Sequence, residues 1–198
     1  MANEPTSRCL LVVDLFSHFR FADGEALADA LVATTPAMHK AFAACRRADV
    51  PMVYCNDNFG WWHLSWEEVG ERTSIEGPPA SAIVWGQLRP KAMDCRLLKS
   101  RHSAFYQTQL TALLNEWGVR QVAVAGASTD ACVLCTAIDA HVRGLEVTVL
   151  KDATAAASKT RQARAELHLE ESLGLRVCDT HTWLSVPPSR QSASHMEM

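Results

Sequence analysis

Three side chains in this sequence would do chemistry together if the fold brought them into contact: the carboxylate of Asp14, the ammonium of Lys99 and the thiol of Cys132. The carboxylate can take the thiol proton, and the ammonium can hold that carboxylate ionised while favouring the thiolate. A thiolate is the reactive form of cysteine, and beside a base it is set up to attack a carbonyl carbon. Each residue alone has a blander reading. A free cysteine commonly packs as a small buried hydrophobe, and Asp14 could simply cap the turn after a strand. The case rests on the elements that would position them.

Residues 122–125 (Val-Ala-Val-Ala) read as a buried strand that Gly126 interrupts. Beyond it, Ala131, Leu134, Cys135 and Ile138 fall at helical spacing. Thr129 is the expected N-cap, with Asp130, Ala131 and Cys132 as the first helical residues. Cys132 would then lie in the first turn, where free N–H groups and the helix dipole favour negative charge and ease loss of a thiol proton. Upstream, the apolar run Cys9-Leu-Leu-Val-Val-Asp14 reads as a central parallel strand covered on both faces. Its acid stands at the carboxyl end, where open α/β sheets bind ligands. Lys99 closes a brief strand over residues 96–99. In a parallel sheet the ends of the first, third and fourth strands share one edge, so the three side chains could converge there.

The remaining pattern fills in the scaffold. Residues 25–49 are predicted as two helical pieces, with Thr35-Pro36 as an N-cap and first helical residue between them. Residues 51–56 form the second strand. Residues 58–79 are the least regular part, and Trp61, Trp62 and Trp66 within it suggest a lid or a subunit contact, with a short helix over 66–72. Helices are predicted over 80–88, 109–117 and 159–173, and strands over 146–150 and 175–178. Residues 187–198 look like a disordered tail, which leaves residues 1–186 as a single domain without repeat or linker. Alternating strands and helices imply a three-layer α/β/α fold, doubly wound on a mostly parallel sheet of about six strands with right-handed crossovers.

Composition narrows the function classes. The 198 residues, 48% of them hydrophobic, suffice for one full core. A net charge of −3 with no basic run gives nucleic acid or an anionic membrane no electrostatic foothold. The apolar segments are too short to span a bilayer, and the first residues do not resemble a signal peptide. Seven cysteines, an odd number without framework spacing, point to reduced thiols in the cytoplasm. No G-x-G-x-x-G follows a strand, so dinucleotide binding has no support.

The segments VVDLFSHF, VYCNDNFG, LKSRHSAFYQT and GASTDACVLCTAIDA resemble the signature blocks of the isochorismatase-like cysteine hydrolase superfamily, which includes nicotinamidases, carbamoylsarcosine amidases and ureidoacrylate amidohydrolases. The similarity runs over residues 8–180. Its best-defined block is Gly126-x-x-Thr129-x-x-Cys132-Val133-x-x-Thr136-Ala137-x-Asp139-Ala140. The resemblance implies that Asp14, Lys99 and Cys132 are a catalytic triad. It also implies a non-proline cis peptide at Ala127–Ser128, which would turn the Ser128 N–H toward the reacting oxygen beside that of Cys132. The activity implied is two-step acyl transfer on the C–N bond of a small amide, imide or ureido substrate. Asp14 would deprotonate Cys132, give that proton to the departing nitrogen, and then activate the water that clears the thioester. Phe19, Asn56, Trp61 and Phe105 are the candidate substrate contacts. A homo-oligomer is expected by the same resemblance.

Departures from the family pattern carry expectations too. Nicotinamidases place Asp-x-His after the second strand as part of a metal site, whereas here the residues are Asp57-Asn58-Phe59. No metal and no cofactor is therefore expected, and nicotinamide is disfavoured; lone His63 does not make a site. Ser17-His18 stands where the family has Asn-Asp. Three alternatives stay open. One is vinyl-ether hydrolysis of the isochorismate type, by acid catalysis from Asp14 without a thiol. The second is thiol–disulfide chemistry at Cys132-x-x-Cys135, and the third is a binding protein without activity.

Overall fold

The computed structural model describes residues 7–187. Among them, six strands form one sheet in the order β3-β2-β1-β4-β5-β6, every adjacent pair parallel. The strands are β1 (Arg8–Val13), β2 (Met52–Asp57), β3 (Cys95–Lys99), β4 (Gln121–Ala127), β5 (Glu146–Ala155) and β6 (Arg176–Cys178). The order reverses between β1 and β4. Chain crossovers leave in opposite directions there, which opens a crevice at the carboxyl ends of those two strands.

Strand periodicity explains the three layers. In β1 the side chains of Leu10 and Val12 join one core with Met52, Tyr54, Ala123 and Ala125, while Cys9, Leu11 and Val13 join the other with Val53, Cys55, Val122 and Val124. Both faces of the central strands are dry, so their sequences are apolar throughout rather than alternating. The first core is roofed by α1 (Gly24–Arg47) and α3 (Pro79–Leu88). The second lies under α4 (Leu110–Glu116) and α5 (Leu134–Val142). The remaining helices are α2 (Trp66–Glu76), α6 (Lys159–Leu167) and α7 (Thr180–Ser185).

Several boundaries differ from the sequence expectations. The segment read as two helical pieces is one 24-residue helix, α1, with Pro36 inside it. Its apolar stripe continues unbroken through Leu27, Leu31, Met38, Phe42 and Cys45, and that burial outweighs the backbone bond that proline cannot make. Thr34 and Thr35 donate their hydroxyls to the carbonyls of Ala30 and Leu31 at 2.8 Å, occupying acceptors in the turn before the proline. Helix α2 runs past the expected end at 72 to Glu76, and starts from a capping box in which Ser65 and Glu68 satisfy each other's backbone N–H. Strand β5 extends five residues beyond 150 to Ala155. The helix expected over 159–173 is α6 followed by a π-helical turn, His168–Ser172. The Asp179 side chain caps α7, which the sequence reading left out. The expected disordered tail lies outside the described residues beyond Pro187. No helix among the described residues is long and apolar enough to cross a membrane.

Candidate active site

The loops at the carboxyl edge of β1, β3 and β4 bring Asp14, Lys99 and Cys132 together. Asp14 follows β1 directly. Its N–H donates to the Cys55 carbonyl at 3.0 Å, and its φ of 47° turns the chain out of the strand. That left-handed conformation costs about 1–2 kcal/mol for a residue with a Cβ, so packing around the loop must hold it. Asn56 supplies part of that hold. Its side-chain oxygen accepts the Phe16 N–H at 3.0 Å, and its amide donates to the Phe16 carbonyl at 2.9 Å.

Lys99 lies two strands from Asp14 and reaches across beside β2. Its side chain is fully buried, with Nζ 2.5 Å from Asp14 Oδ2 and donating to the Arg101 carbonyl at 2.8 Å. The other carboxylate oxygen, Oδ1, accepts the Asp57 N–H at 2.7 Å. Two fixed donors thus orient the Asp14 carboxylate, whose charge acts on the Cys132 thiol lining the same cavity.

Cys132 sits in a π-helical turn, Thr129–Val133, that leads into α5. The expected cap is displaced by one residue. Ser128, with extended backbone, is the N-cap, and its carbonyl accepts the N–H of Ala131 at 3.0 Å and of Val133 at 3.1 Å. Thr129 is instead buried and donates its hydroxyl to Gln162 Oε1 at 2.7 Å. The Ala127–Ser128 peptide is cis. Just before it, Gly126 adopts φ 119°, and a Cβ there would stand 1.9 Å from the Val13 carbonyl oxygen. Only glycine lets β4 lie this close to β1 at the crevice.

The ionisation pattern differs from the helix-dipole expectation. Burial, followed by the Asp14 carboxylate, pushes the Cys132 thiol well above its usual range despite the opposing Lys99 ammonium. The helix start is outweighed, because burial disfavours the thiolate and the Asp14 charge adds to it. Burial likewise raises Asp14 above the usual carboxylate range, against the pull of Lys99. Burial works against the Lys99 ammonium too, but the charges of Asp14 and Cys132 outweigh it and hold the lysine above its ordinary value. The Lys99–Asp14 ion pair thus stands beside a sulfur that holds its proton more tightly than usual. Such a set can move a proton from sulfur to oxygen when a carbonyl arrives to accept the sulfur's electron pair.

The set opens into a cavity of about 430 Å³. Phe19, Phe21, Leu27 and Phe59 give it apolar walls, and Ser17, Asp57, His102, Ser128 and Arg161 bring polar groups. Of the four candidate substrate contacts, Phe19 lines this cavity and the other three do not. Asn56 is buried and spends its amide on the loop after β1, as above. Trp61 packs against Phe59 and His18, with the Arg72 guanidinium 4.3 Å from its ring centroid. Phe105 is buried in the second core, and Arg143 lies over its ring. Phe16, whose role the sequence left open, belongs to the first core, edge-on to Trp66 and Trp85.

His102 and Arg161 are among the cavity residues that the sequence did not single out. His102 places Nδ1 3.5 Å from Cys132 Sγ. Arg161, from α6, donates Nε to Asp130 at 2.5 Å and pairs with Asp23 at 2.9 Å. The first had a local signal, three residues after Lys99 in LKSRHSAF. The second had none, since 29 positions separate it from Cys132 and a crossover closes that gap. Among the described residues, no group of three or more His, Cys, Asp or Glu side chains is placed to hold a metal ion. Asp57, first of the residues at the family's metal motif, uses Oδ1 to accept the Phe59 N–H at 2.6 Å.

Comparison with known proteins agrees with this architecture. The Isochorismatase domain family matches residues 8–182. The chain is 33% identical over 151 residues to the uncharacterized isochorismatase family protein YaaI of Bacillus subtilis, covering 76% of this chain and 82% of that one. It is 26% identical to the ureidoacrylate amidohydrolase RutB of Serratia proteamaculans, over 92% of this chain and 84% of the relative. The solved structure of N-carbamoylsarcosine amidase from Thermoplasma acidophilum superposes with a TM-score of 0.64 at 26% identity, covering 88% of this chain and 97% of that one. With a family match across nearly the whole chain and the doubly wound parallel sheet, the protein belongs to the isochorismatase-like cysteine hydrolase family.

Proposed function

We propose that the protein is a cysteine amidohydrolase that cleaves the C–N bond of a small amide, imide or ureido substrate through a thioester on Cys132. One observation carries the proposal. The Asp14 carboxylate is fixed between Lys99 Nζ and the Asp57 N–H, and it shares the wall of one substrate-sized cavity with the Cys132 thiol. Relatives named as amidohydrolases and amidases support the reaction class.

In the reaction, Asp14 takes the thiol proton as sulfur attacks the carbonyl carbon. The backbone N–H groups of Ser128 and Cys132 hold the oxyanion, where each such donor contributes on the order of a hundredfold in rate. Asp14 then passes its proton to the departing nitrogen, and water clears the thioester. Lys99 keeps the carboxylate oriented and balances its charge in both halves. Phe19, Phe21, Leu27 and Phe59 enclose the apolar part of the substrate.

A cytoplasmic setting belongs to the same proposal, supported by the seven cysteines, all free. So does a homo-oligomer, for which Trp62, 77% exposed beside the partly covered Trp61, is the candidate contact. The raised affinity of Asp14 for a proton favours one other reading, acid-catalysed cleavage of a vinyl ether. Screening small amides, imides and ureido acids for ammonia release, beside Cys132→Ala, separates the two. The wild type should release ammonia and carry a mass-detectable thioester, and Cys132→Ala should do neither. Silence from the wild type across that panel, or turnover retained by Cys132→Ala, would refute the amidase assignment.

A further inference from the structure

We propose that His102 is a further catalytic residue: its Nδ1–H is the hydrogen-bond donor that the Cys132 sulfur uses whenever that sulfur carries negative charge. The inference rests on the amidase reading for its place in turnover, but its geometry stands by itself. Nδ1 lies 3.5 Å from Sγ, and His102 lines the same cavity as Cys132.

The surroundings of the sulfur show why a donor is needed. Its other polar neighbour is Asp14, an acceptor while ionised, which disfavours the thiolate. The Lys99 ammonium already gives hydrogen bonds to Asp14 and to the Arg101 carbonyl. A sulfur that has surrendered its proton needs a donor, and His102 in its Nδ1–H form, 3.5 Å away, supplies one.

The loop is built to hold His102 there. On its N-terminal side, Lys99 Nζ binds the Arg101 carbonyl at 2.8 Å. On its C-terminal side, the Ala104 N–H donates to Thr136 Oγ1 at 3.1 Å, which ties the loop to the helix that follows Cys132. The Ser103 hydroxyl oxygen accepts the Phe105 N–H at 3.1 Å, and the Thr108 hydroxyl donates to the Ala104 carbonyl at 2.6 Å. The backbone on both sides of His102 is thus tied down beside Cys132, and the exposed imidazole reaches the sulfur from there.

In acylation the thiol proton moves to Asp14, the sulfur electron pair forms the S–C bond, and His102 stabilises the sulfur while charge is on it. The C–N bond then breaks as Asp14 delivers that proton to nitrogen. In deacylation Asp14 takes a proton from water as its oxygen attacks, and the C–S bond breaks with its electron pair returning to sulfur. The sulfur is again held by the His102 N–H until Asp14 gives the proton back.

The test measures alkylation of Cys132 by iodoacetamide at neutral pH, followed at the Cys132 peptide by mass spectrometry. This needs no substrate. His102→Ala should slow alkylation roughly ten- to a hundredfold, the worth of a hydrogen bond to a charged group. His102→Asn, whose amide nitrogen falls near the position of Nδ1, should recover most of the rate. Equal alkylation rates in the wild type and His102→Ala would overturn the proposal, even if Cys132 proves to form thioesters. A slowed, Asn-rescued alkylation with no thioester from any amide would leave His102 as the thiolate donor and instead remove the amidase reading.

Discussion

Replacing Lys99 by Met keeps the side-chain volume and deletes the ammonium that stands 2.5 Å from Asp14. The Lys99 side chain has no solvent exposure and that of Asp14 is 16% exposed, so little water can enter to replace the lost charge. Breaking a buried pair from one side typically costs about 3–5 kcal/mol. Here the loss has a ceiling, because Asp14 can escape by taking up a proton. From an unfolded carboxyl near pKa 3.9, that escape costs about 4 kcal/mol at pH 7, at 1.36 kcal/mol for each pH interval. The expected loss at neutral pH is therefore about 3–4 kcal/mol. In the variant, folded Asp14 binds its proton more tightly than the unfolded chain does. The linkage slope is then negative: stability falls as pH rises from the unfolded carboxyl range toward the folded one, and levels off above it. Urea unfolding of wild type and Lys99→Met at several pH values checks this. The difference should be largest at neutral pH and shrink on acidification, and Asp14→Asn in the Lys99→Met background should recover much of it. A loss under about 1 kcal/mol at neutral pH, or one that does not change with pH, would refute the claim that this pair is a tightly coupled buried one.

Gly126→Ala should be among the most damaging single-methyl changes in the chain, because the new Cβ would meet the Val13 carbonyl oxygen at 1.9 Å in a φ of 119°. Strands β1 and β4 must part to admit it, displacing Asp14 and Cys132 relative to each other. A displacement near 1 Å would cost about a hundredfold in kcat/KM; wild-type thermal stability and activity in this variant would show that the close approach is unimportant. Under the proposed function, kcat/KM should fall with acidification at a pH above the ordinary carboxylate range, because burial raises Asp14 and only its ionised form can accept the thiol proton. On the alkaline side activity should persist well past neutrality, since the Cys132 thiol and Lys99 are both held protonated. A pH–rate profile with its acid limb at an ordinary aspartate value would contradict the desolvated state of Asp14.

How much was legible beforehand depended on whether the signal was local. Chain-order patterns suffice for the parallel sheet, because a strand buried on both faces must be apolar throughout, as Cys9–Val13 and Val122–Ala125 are. The convergence of Asp14, Lys99 and Cys132 followed from topology, since parallel strands put all their carboxyl ends on one edge. Helix boundaries were less legible: Pro36 reads as a start, yet a continuous buried stripe carries α1 through it. The N-cap is Ser128, through its carbonyl, and the Thr129 hydroxyl goes instead to Gln162, 33 residues away.

From the amino-acid order alone came the architecture, the three chemically matched residues and their shared edge, because burial periodicity and strand polarity are properties of neighbours along the chain. Tertiary structure decided the surroundings in which those residues ionise. Burial and the Asp14 carboxylate push the Cys132 thiol up where the helix start by itself argued for easier loss of its proton. It also decided which side chains face the cavity, admitting Phe19, His102 and Arg161 and turning Asn56, Trp61 and Phe105 to other work. Desolvation and side-chain direction depend on what packs from distant segments, and no window of sequence contains that information.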